Sequence, residues 1–280
     1  MSSWFPSARL GLLAGAVLLG GCAMLEPAPD KERELAFSPP AGNPMNAPAL
    51  ESVTPQVISS GSRAKKLIAL TFDACSTHKP SQYDERIIRA LIDLNVPATL
   101  FLGGKWMEEH PHETRLLAWH PLFELGNHTF LHPHPREVSP QRLRNEIEWT
   151  QNVMYTLTGR YATLFRAPYG EIDEQVVNLA ADMGLTTVQF DLASGDPDRR
   201  ASKKRLIEHV TRHARNGSIV VMHMNGRGRH TAEALPEIVQ RLRAKGYEFV
   251  TVGKLIAPEP APQPITEQVR VNPDEERATR

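Results

Sequence analysis

Short apolar runs rich in β-branched and aromatic residues recur through the middle of the chain, at 67–72, 98–102, 164–166, 186–190, 218–222 and 247–252, with a weaker run at 123–125. Between them the apolar positions take helical spacing. Ile87, Ile88, Leu91 and Leu94 mark one face, and Leu235, Ile238, Val239 and Leu242 mark another. Strand and helix in alternation predict parallel strands joined by crossover helices, hence an α/β sheet or barrel. Seven such runs within 62–256 favour a short barrel over an open sheet. No internal repeat is visible.

In folds of this class chemistry gathers at the carboxyl ends of the strands, and the residues there are polar. Thr71-Phe72-Asp73-Ala74-Cys75 ends the first run, and Gly126-Asn127-His128-Thr129-Phe130-Leu131-His132 follows the weak third. Arg166-Ala167-Pro168-Tyr169-Gly170 ends the fourth, Asp191 closes the fifth with Asp196 five further on, and His223 closes the sixth. Asp, a His pair, Arg, Asp and His are thus expected on one rim. His128 and His132 are four apart, a spacing that one helical turn would place on a common face, as a metal requires. Trp106, Phe130 and Tyr169 are candidates to stack on a sugar ring, with the core as their alternative place. The segment from Asn225 to Thr231 reads as a mobile loop beside the site, with Thr231 capping the following helix. Lys203-Lys204-Arg205 reads as a solvated helix face.

The ends of the chain follow other patterns. Residues 10–21 are an apolar run preceded by Arg9, the sole charged side chain among the first 22. A bilayer about 30 Å thick needs roughly 20 apolar residues, so the run suits a signal peptide instead. It ends in Leu19-Gly20-Gly21-Cys22, which resembles the lipobox of bacterial lipoproteins and so implies cleavage before Cys22 and lipidation of its sulfur. Ala23, not Asp, follows, which resembles outer-membrane sorting in a diderm. Proline-rich sequence occupies 22–61 as a tether and 257–280 as a tail. The expected organisation is therefore signal peptide 1–21, tether 22–61, domain 62–256 and tail 257–280. It places the domain in the cell envelope, lipid-anchored to the membrane, on the periplasmic face of the outer membrane in a diderm.

Composition narrows the classes. With 41% hydrophobic residues the chain builds a core and is not wholly disordered. Its 32 basic and 32 acidic side chains cancel, which argues against a nucleic-acid partner held by bulk charge. Two cysteines cannot form the disulfide framework of a small scaffold. A monomer is expected.

The four segments Thr71-Phe72-Asp73, His128-Thr129-Phe130-Leu131-His132, Arg166-Ala167-Pro168-Tyr169-Gly170 and Val220-Val221-Met222-His223 resemble, in order, the motifs of the polysaccharide deacetylase (NodB-homology) family. The resemblance covers essentially all of 62–256. It implies a distorted (β/α)7 barrel and a hydrolase that removes acetyl groups from an N-acetylated amino-sugar polymer such as peptidoglycan, a chitin-like chain or an exopolysaccharide. It implies a divalent metal, zinc with cobalt or nickel as substitutes, on His128 and His132. Asp73 then matches the general base, Arg166 the arginine holding that base, the Tyr169 backbone N–H an oxyanion donor and His223 the general acid. An aspartate oriented toward His223 would raise its pKa; Asp196 is preferred over Asp191.

One position departs from the family. Its usual first motif has two adjacent aspartates, the second a metal ligand, and here that second position is Ala74. Catalytic zinc normally keeps three protein ligands. Four readings stay open: Asp73 binds the metal itself, a second water fills the gap, Cys75 contributes a thiolate, or the site has lost catalysis and kept glycan binding. Residues 73 and 75 share one side of an extended strand, although a small half-buried side chain is the plainer reading of Cys75. Deacetylation of another amide or ester is a further alternative.

Overall fold

The computed structural model describes residues 50–77 and 79–258, so the expected signal peptide, Cys22 and nearly all of the tail lie outside the described residues. Nine strands form one sheet: β1 (Val57–Ile58), β2 (Leu67–Ala74), β3 (Ala98–Leu102), β4 (Phe123–Asn127), β5 (Leu164–Phe165), β6 (Thr186–Val188), β7 (Leu192–Ala193), β8 (Ser218–His223) and β9 (Glu248–Phe249). The order is β1-β6-β5-β4-β3-β2-β8-β7, with β9 paired to β2, and every strand pair is parallel. This is the expected distorted barrel, curled but open between β1 and β7 among the described residues.

Helices cover the outside, as parallel strands require. They are α1 (Glu85–Asp93), α2 (Gly104–Glu109), α3 (Pro111–Trp119), α4 (Pro140–Thr158), α5 (Glu174–Asp182), α6 (Lys203–His213), α7 (Thr231–Ala244) and α8 (Val252–Ile256). Their starts follow local chemistry. Asp84, Ser139, Asp173 and Ser202 each accept a hydrogen bond from a first-turn backbone N–H. Gly159, at φ 70°, ends α4 in the left-handed conformation that glycine adopts without penalty. Helix α1 buries Ile87, Ile88 and Leu91, and α7 buries Leu235, Ile238, Val239 and Leu242, the faces that the spacing predicts.

Strand register sets the interior. Alternate residues of a strand share a face, so Ala69, Thr71 and Asp73 line up in β2, and Ile219, Val221 and His223 in β8. Asp73 is directly paired with His223 on one side and Phe101 on the other. Ala69, Phe101, Leu164, Val188 and Ile219 fill the lower interior together with Val250, Val252 and Leu255. The apolar layers therefore stop one step below the polar ends.

Three boundaries differ from expectation. Val57 and Ile58, expected in the tether, pair with Thr187 and Val188, and the Val53 N–H donates to the Ala181 carbonyl at 2.9 Å. Folded sequence therefore begins by residue 50, not 62. The run at 247–252 divides into β9 and the start of α8, with Thr251 as the helix cap. Strand β7 was not expected, because two residues carry no readable alternation.

Candidate active site

The carboxyl ends of the strands open into a cleft of about 310 Å³ lined by Asp73, Cys75, His128, His132 and His223, with the exposed Arg227 at its edge. Asp73 ends the inward row of β2. Arg166, immediately after β5, runs beneath it and is 1% exposed. One guanidinium N–H donates to Asp73 Oδ1 at 2.8 Å and to Thr71 Oγ1 at 2.7 Å. The Val188 and Gln189 carbonyls accept from its other nitrogens, and Phe101 lies under its carbon at 4.0 Å. Burial alone would push the Asp73 carboxyl up, but the charges of Arg166, His128 and His223 more than reverse this and hold it below the usual carboxylate range.

Asp196 is the partner of His223, as preferred. Its Oδ1 accepts from His223 Nδ1 at 2.9 Å and its Oδ2 from the His223 backbone N–H at 2.7 Å. Ser194 and Thr231 hydroxyls donate to the same carboxylate at 3.0 and 2.9 Å. Burial would lower the His223 pKa, yet the hydrogen bond and charge of Asp196 outweigh it and raise the imidazole above its ordinary 6.5. Asp191 lies at the opposite end of β8, where it accepts from the Ile219 N–H and Arg63. Thr231 does not cap α7 with its side chain, since its hydroxyl is taken by Asp196; His230, at φ 57°, occupies the cap. The Asn225–Thr231 loop is also tied down, by Asn225 to Cys75 and by the Arg229 N–H to the Asp196 carbonyl.

His128 and His132 are brought together as expected, but not by a helix. Residues 128–134 are a loop in which Thr129 and His132 take φ of 61° and 57°. Those left-handed kinks turn the chain so that the rings meet edge to face, with centroids 4.9 Å apart. Neighbours enforce the conformation. Asn127 Oδ1 accepts from the Thr129 N–H, and the buried Glu146 of α4 accepts from the Phe130 and Leu131 N–H groups at 2.8 and 2.6 Å. Phe130 and Trp106 are buried, so neither offers a sugar platform. Tyr169 is 51% exposed, stacks on His134 at 3.9 Å and takes φ 57°.

The donors present fit a divalent metal. His128 Nδ1 lies 2.8 Å from the Arg166 carbonyl. A carbonyl only accepts, so Nδ1 carries the proton and the Nε2 lone pair is left for a ligand. His132 Nδ1 is buried with no hydrogen-bond partner, an orphan that metal ligation would explain. Cys75, His128 and His132 each place one donor atom within 4.8 Å of the others. Asp73 approaches from the His128 side, its Oδ2 3.8 Å from Nε2.

Known proteins resemble this chain in sequence and fold. A family model described as polysaccharide deacetylase matches residues 60–188. A peptidoglycan-N-acetylglucosamine deacetylase of Bacillus cereus is 30% identical over 195 residues, 69% of this chain and 69% of the relative. The chain belongs to the polysaccharide deacetylase family. Another member, the peptidoglycan-N-acetylmuramic acid deacetylase PdaA of Bacillus subtilis, is 26% identical over 253 residues, 87% of this chain and 93% of the other. Among solved structures, a CE4 family pseudoenzyme from Bacillus anthracis superposes with a TM-score of 0.66 at 27% identity, covering 73% of this chain and 70% of that one. For this polysaccharide deacetylase family member, sequence reasoning missed Glu146 and Asn225. An acidic residue in the first two turns of a helix gives no hint that it clamps a loop packed against it.

Proposed function

We propose that the chain is a metal-dependent hydrolase that removes acetyl groups from an N-acetylated amino-sugar polymer of the cell envelope. One observation carries this. A single cleft holds a carboxylate paired with Arg166, whose pKa that charge lowers, and an imidazole hydrogen-bonded to Asp196, whose pKa that carboxylate raises, beside two histidines with ligand lone pairs. Titrating groups whose environments push them apart mark base and acid.

The roles follow from position. A divalent ion at His128 and His132, zinc with cobalt or nickel as substitutes, supplies polarisation of the acetyl carbonyl and of a nearby water. Asp73 Oδ2, the oxygen not held by Arg166, takes the proton from the attacking water. The Tyr169 N–H donates to the oxygen that gains charge. His223 gives its proton to the departing sugar nitrogen, and Asp196 stabilises the imidazolium. Asp73 Oδ2 lies 3.8 Å from His128 Nε2, so Asp73 is a candidate ligand as well as the base. The metal-loaded full chain should release acetate from chitooligosaccharides or peptidoglycan fragments, and absence of acetate with zinc, cobalt and nickel alike would count against the reading.

The second reading is a catalytically impaired glycan-binding protein on this fold. Ala74 and the likeness to the Bacillus anthracis pseudoenzyme favour it; a mutant of that pseudoenzyme is described as having restored enzymatic activity. Retained glycan binding without acetate release would select this reading. Anchoring through a lipid on Cys22, at the periplasmic face of the outer membrane in a diderm, completes the proposal. Fatty-acid labelling in cells, lost in Cys22→Ser, tests it.

A further inference from the structure

We propose that Cys75 is the third protein ligand of the metal, giving a Cys–His–His centre in place of the missing aspartate at position 74. This rests on the metal-dependent reading above and specifies which atoms hold the ion. The strand geometry leads to it. Asp73 and Cys75 both line the cleft, whereas Ala74 is buried outside it and its carbonyl accepts from the Gly103 N–H at 2.8 Å. Alternate residues of a strand share a face, so 73 and 75 lie on the cleft side together.

Three independent observations converge on the sulfur. Its distance to one ring nitrogen each of His128 and His132 lies within 4.8 Å, as does the distance between those nitrogens. His132, 7% exposed, has a buried Nδ1 with no hydrogen-bond partner, so a ring of the cluster carries an unsatisfied nitrogen. Asn225, itself buried, directs its amide N–H at Cys75 Sγ at 3.5 Å and at the Cys75 carbonyl at 2.8 Å. An amide donor aimed at a sulfur is what outer-sphere support of a thiolate ligand looks like, and such support orients the ligand and tunes the ion. Two imidazoles and a thiolate suit zinc, whose protein ligands are nitrogen and sulfur. On binding, the Cys75 S–H bond breaks, its proton leaves to solvent and the sulfur–metal bond forms, with no change of oxidation state.

The arrangement has a functional consequence. With sulfur as third ligand, Asp73 is released from ligation. Its Oδ1 stays on Arg166 and its Oδ2 serves as base alone.

The test reads the metal, not turnover. The full chain carries two cysteines, so Cys22→Ser leaves Cys75 as its sole thiol. Loaded with one equivalent of cobalt(II), that protein should show an intense near-ultraviolet sulfur-to-cobalt charge-transfer band. Adding Cys75→Ala should abolish the band and weaken cobalt and zinc affinity by about 100-fold or more, since outer-sphere changes alone cost 10–100-fold. The spectrum of the Cys22→Ser protein is informative even if the alanine variant fails to fold. Stoichiometric cobalt binding without the band, or unchanged affinity in Cys75→Ala, overturns the ligand assignment while leaving the metal-dependent reading intact. No binding of cobalt or zinc at all overturns both.

Discussion

Asp73 and His223 face each other across one register pair, and their different neighbours suit the one to the proposed role of base and the other to that of acid. Asp73→Asn should lower kcat by at least about 100-fold with little change in fold, because it removes the proton acceptor and keeps the shape. Arg166 is a different case. Removing it by Arg166→Met leaves Asp73 buried without its counter-charge, which costs about 3–5 kcal/mol and should appear as a lower Tm as well as lost activity. The raised pKa of His223 fixes the sign of the pH dependence. The acid must be protonated, so activity should persist above the ordinary 6.5 and fall as pH rises through the elevated value. Asp196→Asn removes the cause, and the basic limb should then move down by a measurable fraction of a pH unit or more. A basic limb unmoved by that change would show that His223 is not the acid. The same shift bears on stability: protonated His223 stabilises the fold below 6.5, and that contribution is lost as pH rises through the folded value.

Elements explain why the site was only partly readable in advance. Strands β2, β3 and β8 are long, apolar and central, and their runs were visible in the sequence along with the polar residues that end them. Asp73 and His223 stand at the ends of β2 and β8, Arg166 directly follows the short β5, and Asp196, beyond the run at 186–190, is preferred over Asp191 without the spacing deciding between them. The histidine pair was found for the right reason of spacing but with the wrong local structure. Four residues apart fits a helical turn, yet here the approach comes from left-handed backbone at Thr129 and His132, stabilised by Glu146 from α4. That stabilisation is tertiary and leaves no periodicity to read. Strands β1 and β7 escaped because neither stands out as an apolar run of its own: β1 lies in the proline-rich segment, and β7 follows closely on the run at 186–190. Glu146→Ala should therefore act on the metal site from a distance. It leaves two backbone N–H groups without their acceptor and removes one ion-pair partner of Arg142, at about 2–4 kcal/mol in stability, and should weaken metal affinity by roughly 10–100-fold. Isothermal titration with zinc together with a thermal melt would separate the two effects, and unchanged affinity would show that the loop holds its own shape.

At the scale of the whole molecule, the barrel begins earlier than composition suggested. Leu50 packs over Gly184, which has no side chain to obstruct it, and β1 covers the edge of β6. A chain starting at residue 62 should melt several degrees below one starting at residue 50, because it exposes that edge and loses the Val53 hydrogen bond. Equal Tm values would return 50–61 to the tether. Membership of the polysaccharide deacetylase family implies an acetylated polysaccharide as the substrate, and the cancelling acidic and basic residues are compatible with an uncharged polymer.

The cleft is proposed to hydrolyse an N-acetyl group with a metal, Asp73 and His223. The most direct measurement is acetate released from N-acetylglucosamine oligomers or peptidoglycan fragments by the zinc- or cobalt-loaded full chain, compared with Asp73→Asn. One acetate should appear for each free amine formed, dependent on metal and lost in the variant. Bound glycan with no acetate from the metal-loaded protein, or equal acetate from Asp73→Asn, would contradict it.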